Sequence, residues 1–238
     1  MPQRAAILRH VAPFDAASDS EREGLERGAL VGMFSRGQVL WREGDPPTAF
    51  TVIQSGLVKI VRSLSSGRES IVGIFGPRES IGDVAVIRNS PYPASAVVCS
   101  DAATIVSVPM GAFLSWSRNS TRAASRVAEL LASRLHTMHC KVEILSAGSV
   151  ESRMATLLLD LAERFGDESA SGAVILPIAL SRQELASLVS TSFETAIRVM
   201  SRWQKCGALD TGKDGFVIHD PALLRQAATS VLGVKGRR

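Results

Sequence analysis

Apolar residues in the C-terminal third of the chain recur with the period of a helix, interrupted once. Leu185, Leu188 and Val189 share one helical face, and Ala196, Val199, Met200 and Trp203 share another. The run Val189-Ser190-Thr191 then breaks the pattern, since two polar residues follow the valine. The start and stop signals agree with two short helices. Ser181 and Glu184 have the spacing of a capping box, Ser192 can cap the second helix with Thr195 three residues on, and Gly207 stands where a helix end takes glycine. Residues 210–215, DTGKDG, are turn chemistry between Ala208-Leu209 and Phe216-Val217-Ile218, so a small hairpin follows. The pattern predicts a helix-turn-helix with a wing.

Upstream the pattern changes twice. Residues 1–30 read as short helices, with a Ser18/Ser20-capped acidic stretch that points Leu25 and Leu30 inward. From Val31 to Pro109 short β-rich runs (38–41, 50–54, 57–61, 70–75, 95–99 and 103–108) are punctuated by Gly37, Gly44, Gly56, Gly67 and Gly82, as in a sandwich or barrel. After Pro109 the chain turns helical. Ala124, Ala128, Leu131, Leu135, Met138, Val142 and Leu145 alternate four and three apart, the seam of a two-stranded coiled coil. Residues 146–149, SAGS, break this helix and read as a hinge. Ser149 then caps a helix with Met154, Leu157, Leu158 and Leu161 inward. A polar loop (166–172) and a strand (173–178) lead into the helix-turn-helix, and a last helix is expected over 221–232.

Composition narrows the function. With 238 residues, 45% hydrophobic and 21% charged, the chain can build one or two globular cores. It has no apolar run long enough to span a membrane and no secretory leader, so a cytoplasmic protein with no membrane partner is expected. From Ser181 onward nine Lys/Arg face five Asp/Glu, whereas the remaining residues are neutral, the charge footprint of a module that binds phosphates. Cys99, Cys140 and Cys206 are far apart and odd in number, which suits reduced thiols. No histidine lies between Val11 and Leu135, so a metal enzyme inside the β region lacks ligands; no metal site and no catalytic set is expected.

On the second helix of the motif Glu194, Arg198, Arg202 and Lys205 face outward. Arginine pairs with guanine O6 and N7, and glutamate accepts from cytosine N4. Glu194 and Arg198, four apart, point to one side. The stretch 181–209, SRQELASLVSTSFETAIRVMSRWQKCGAL, resembles the DNA-binding signature of the cyclic-AMP receptor/fumarate-nitrate regulator (CRP/FNR) family, with Arg182, Glu184, Leu185, Ala186, Glu194, Thr195 and Arg198 on its pattern. The resemblance implies an α+β fold: an N-terminal β-roll like a cyclic-nucleotide-binding jelly roll (1–115), a long dimerisation helix (116–146) and a C-terminal winged helix-turn-helix (149–238). Gly37, Gly44-Asp45, residues 55–60 and a hairpin tip at Ser66-Gly67-Arg68 match that roll.

It also implies a homodimeric transcription factor on double-stranded palindromic DNA with a TGA-like half-site core, and RNA polymerase as partner for an activator. Glu194 and Arg198 would read bases, Phe193 would tune preference, and Ser181, Arg182, Gln183, Ser192, Thr195 and Arg202 complete the DNA-binding set. The dimer seam would be Ala128, Leu131, Leu135, Met138, Val142 and Leu145.

The family's cyclic-nucleotide cassette is matched in part. Gly82, Asp83, Val84, Ala85, Ser95 and Ala96 fall on it, with Met138 and His139 at the adenine positions of the long helix. The phosphate-binding arginine is replaced by Pro93-Ala94, so cyclic AMP is not the expected effector. Residues 1–98 contain no cysteine, which argues against an iron–sulfur cluster. A haem- or redox-sensing regulator acting through His136, His139 and Cys140 is one alternative. A nucleotide-responsive module whose helix-turn-helix serves protein contacts is another.

Overall fold

A computed structural model of the chain describes residues 6–63, 69–146, 148–170, 172–213 and 215–229, and separates it into two compact units, Met1–His136 and Thr137–Arg238.

The first unit opens with two 3-10 turns and helix α1 (Asp19–Gly28), whose capping box is made by Ser18 and Glu21. Eight strands follow: β1 (Leu30–Ser35), β2 (Val39–Trp41), β3 (Ala49–Ser55), β4 (Val58–Ser63), β5 (Glu69–Phe75), β6 (Ser80–Ile81), β7 (Ser95–Val98) and β8 (Ala102–Pro109). Helix α2 (Asp83–Arg88) interrupts them between β6 and β7. Helices α3 (Met110–Asn119) and α4 (Thr121–Ser146) end the run. The strands form two antiparallel sheets, ordered β1-β8-β3-β6 and β2-β7-β4-β5.

Alternation along the strands sorts side chains into two cores. On β3 and β8, Ile53, Ala103 and Ile105 turn inward between the sheets with Trp41, Val58, Ala96 and Val98. Phe50, Val52, Val106 and Val108 turn outward onto the helices, where they meet Phe14, Leu25, Phe113, Trp116 and Ala123. Phe14 anchors this second layer, edge-on to Phe50 and stacked on Trp116.

Several expectations are revised. Leu30 does not point inward: it opens the edge strand β1 and is 73% exposed. The helix expected over 116–146 begins at Thr121, because the chain breaks at Ser120 and residues 116–119 belong to α3. Strands β1, β6 and β9 and helix α2 were not among the expected elements. The hairpin tip at Ser66-Gly67-Arg68 lies outside the described residues, as do the side chains of His136, Cys140 and Leu145 and the tail from 230 onward.

Gly56 is required by the loop between β3 and β4. Its φ is +80°, and a Cβ there would run into the Ala102 carbonyl and lie 2.6 Å from the Ala103 Cα. Gly56→Ala is expected to cost about 2–4 kcal/mol, combining left-handed strain with a backbone collision. Denaturant unfolding checks this; an unchanged midpoint contradicts it.

The second unit holds the later part of α4, α5 (Val150–Phe165), β9 (Asp167–Glu168), β10 (Val174–Leu176), α6 (Arg182–Leu188), α7 (Phe193–Lys205), β11 (Leu209–Thr211), β12 (Phe216–Ile218) and α8 (Pro221–Thr229). Its sheet runs β11-β12-β10-β9. Met154, Leu158 and Leu161 of α5 are buried, as are Leu185, Ala196, Met200 and Trp203 of α6 and α7.

Candidate nucleic-acid interface and sensor cassette

The turn between α6 and α7 is built by local hydrogen bonds. Ser181 Oγ accepts from the Glu184 N–H, and the Glu184 carboxylate accepts from the Ser181 N–H at 2.8 Å. Ser190 takes a positive φ of 51°, and the Thr191 N–H returns to the Ala186 carbonyl at 2.9 Å. Ser192 Oγ then accepts from the Thr195 N–H at 3.2 Å and starts α7. Arg153 of α5 braces the turn from behind, donating to the Val189 carbonyl at 3.0 Å. With Ala196, Val199, Met200 and Trp203 buried, α7 presents Phe193, Glu194, Ile197, Arg198, Arg202 and Lys205 to solvent. Glu194 and Arg198 form no ion pair with each other and have no side-chain partner among the described residues. Both are free to bond elsewhere.

Two of the other expected DNA-binding arginines have partners. Arg202 is paired with Glu151 of α5 at 2.6 Å, so its charge is partly spent holding α7 to α5. Arg182 is half-buried, with burial lowering its pKa, and donates to Thr211 Oγ1 on β11 at 2.9 Å and to Gln204 Oε1 on α7 at 3.4 Å. It ties the wing to the recognition helix. Ser181 and Ser192 serve as helix caps, whereas Gln183 is exposed at the first turn of α6. Thr195, half-buried, shares a hydrogen bond with Ser192.

Arg182→Ala is therefore expected to weaken DNA binding without changing the slope of log affinity against log salt. Loss of a phosphate contact lowers that slope by about 1. A titration at several salt concentrations distinguishes the two, and a reduced slope contradicts the wing-holding role.

In the first unit the cassette residues do come together. Gly82, with φ +69°, caps α2, and Asp83 follows it into the interior. Ala85, Ala96, Trp41 and Tyr92 share the inner core. Val84 is exposed, and Ser95 Oγ accepts from the Glu43 N–H at 2.9 Å. The Asp83 carboxylate accepts from Ser80 Oγ at 3.0 Å and from Arg134 Nε at 3.3 Å. The Arg134 guanidinium also lies 5.2 Å over the Phe75 ring.

Beside Gly82, Trp41 and Tyr92 stack with centroids 4.3 Å apart, and Trp41 Nε1 donates to the Ala94 carbonyl at 3.0 Å. A Cβ on Gly82 would sit 2.6 Å from the Tyr92 ring and 3.0 Å from Trp41. The aromatic pair thus packs directly against the cassette glycine. Arg88 is exposed at the end of α2.

Arg134 is the residue that sequence reasoning missed. Helix α4 carries two stripes. Ala123, Val127 and Leu130 pack on the first unit's own core, and Arg134 continues that stripe at helical spacing. The other stripe is open: Ala124 and Ala128 are exposed, Leu131 half-buried, and Leu135, Met138 and Val142 stand 55%, 62% and 61% exposed. His139 is exposed as well. Among the described residues no group of three His, Cys, Asp or Glu is placed to hold a metal, and no helix is long and apolar enough to cross a membrane.

A β-roll followed by a winged helix-turn-helix defines a DNA-binding regulator of transcription with a sensor-type domain. Comparisons with known proteins agree with that class. A cyclic nucleotide-binding domain model matches residues 32–120, and a Crp-like helix-turn-helix domain model matches residues 152–227. The chain is 28% identical over 222 residues to the CRP-like cAMP-activated global transcriptional regulator of Mycobacterium tuberculosis, covering 93% of this chain and 98% of that one. It is 26% identical to the transcriptional activator protein anr of Pseudomonas aeruginosa, covering 90% and 86%. FixK2 from Bradyrhizobium japonicum shares the fold, with a TM-score of 0.71 at 19% identity over 84% of this chain and 96% of that one. The chain belongs to the CRP/FNR family of transcriptional regulators, and it is not an enzyme.

Proposed function

We propose that the chain acts as a homodimer on palindromic DNA, with Glu194 and Arg198 reading a G·C pair in a TGA-like half-site. The observation that carries this is the exposed pair Glu194/Arg198 on the second helix of the motif, which has no side-chain partner among the described residues. In such motifs the N-terminal residues of that helix meet base edges in the major groove, and two-fold symmetry matches half-sites one helical turn apart. Dimerisation runs along the open stripe of α4 from Ala124 to Val142. Apolar side chains this exposed gain stability once a second copy covers them. We assign 1–115 to the sensor, 116–146 to the dimer segment and 149–238 to the DNA-binding domain; the expected hinge at 146–149 includes residue 147, which lies outside the described residues.

The relative named as cAMP-activated does not set the effector here. A cyclic phosphate at Gly82–Ala85 and Ser95-Ala96 has no arginine beside it from the Pro93-Ala94 segment, and the acidic residue that would hold the ribose is engaged by Arg134. A buried anion without a charged partner is costly. Any effector of the roll is therefore a ligand other than cyclic AMP bound in the usual way. Fluorescence anisotropy with a selected palindromic duplex, with and without cyclic AMP, tests this. Equal affinities are expected; a large gain on adding the nucleotide contradicts the reading.

A further inference from the structure

Helix α7 keeps two large apolar side chains in water. Phe193 is 41% and Ile197 38% exposed, and they lie four residues apart on one stripe, beside the stripe of Glu194 and Arg198. Further along the same face the helix is polar, with Ser201 and then Gln204, whose Oε1 accepts from Arg182 at 3.4 Å. Its N-terminal part stays open. Among the outward residues of α7 these two have no charged or hydrogen-bonding group to satisfy, and an exposed β-branched residue inside a helix is a poor helix former. An apolar partner would stabilise them by covering them, and they sit at the end of the helix that enters the groove first in such motifs. In the major groove, the apolar group presented by the base pairs is the C5-methyl of thymine.

We infer that Phe193 and Ile197 read thymine C5-methyl groups, so that this regulator's half-site carries thymines flanking the G·C pair contacted by Arg198. The assignment rests on α7 being the groove-reading helix. It adds Ile197 as a specificity-determining residue, and it gives Phe193 a defined chemical target. The polar pair reads donors and acceptors while the apolar pair reads methyls, from adjacent stripes of one helix. A cytosine at such a position lacks the methyl and would be discriminated against. A 5-methylcytosine restores the methyl and would be partly accepted.

The test uses the full chain and its own selected palindrome, with each thymine replaced in turn by deoxyuridine, which removes the methyl and leaves every hydrogen-bonding group in place. Wild-type protein is expected to lose about four-fold in affinity for each contacted methyl removed. Ile197→Ala should become indifferent to deoxyuridine at one position and Phe193→Ala at a neighbouring one, while Arg198→Ala keeps both methyl effects. Both apolar residues are on the surface, and thermal unfolding of the variants confirms that they fold. Wild-type indifference at every thymine overturns the inference, and so does full methyl sensitivity in both alanine variants. A change of oligomeric state in Ile197→Ala with methyl sensitivity retained overturns it in favour of a protein partner. A protein that selects no duplex overturns the DNA-reading assignment along with it. One that selects a site and ignores its methyls overturns the methyl assignment alone.

Discussion

Leu135→Asp is expected to turn the proposed dimer into monomers. Leu135 stands 55% exposed on α4, between Leu131 and Met138 on the open stripe. Burying a leucine stabilises by about 1.5–3 kcal/mol, and a symmetric seam buries it twice. Losing both, with a carboxylate left at the seam, raises the dimer dissociation constant by roughly 10²–10⁴-fold. Affinity for a palindrome falls as well, because the second half-site is no longer held at high effective concentration. The side chain faces solvent within one chain, so the fold of each unit is unaffected. Sedimentation equilibrium reads the first effect and a DNA titration the second. An undiminished dimer places the interface elsewhere.

The second large effect is at the recognition helix. Arg198→Ala is expected to cost about 1–3 kcal/mol per half-site on the cognate sequence and to relax preference at one base pair, since a bidentate arginine–guanine contact discriminates by that much. On unrelated DNA the loss is smaller, because there only the charge is missing. Arg202→Ala behaves differently: its partner is Glu151, so it acts on the seating of α7 and leaves the base preference intact. Site selection with each variant separates the two arginines. Identical consensus sequences from wild type and Arg198→Ala contradict the assignment.

What could be read from the sequence was local. The caps at Ser18, Ser149, Ser181 and Ser192 depend on residues within three positions, and each forms as its spacing predicts. The wing was legible because its turn chemistry is contiguous. The buried face of α7 was legible because four apolar residues, Ala196, Val199, Met200 and Trp203, keep one period.

The missed features depend on distant partners or on very short segments. Strands β6 and β9 have two residues each, too few to show alternation. Leu30 was placed inward by helical spacing, but it begins an edge strand whose pairing with β8 is long-range. Asp83 meets Arg134, and Glu151 meets Arg202, each across 51 residues, a separation that no local pattern encodes. The core-facing stripe of α4 was hidden for a related reason. A heptad seam and a core-facing stripe overlap on one helix, and the stronger 3.5-residue period concealed the other.

The most direct test of the central claim is selection of binding sites from random duplex DNA by the purified chain at moderate salt. A palindrome with TGA-like half-sites centred one helical turn apart is expected. Recovery of single, unpaired half-sites, or of no motif from an intact dimer, contradicts it.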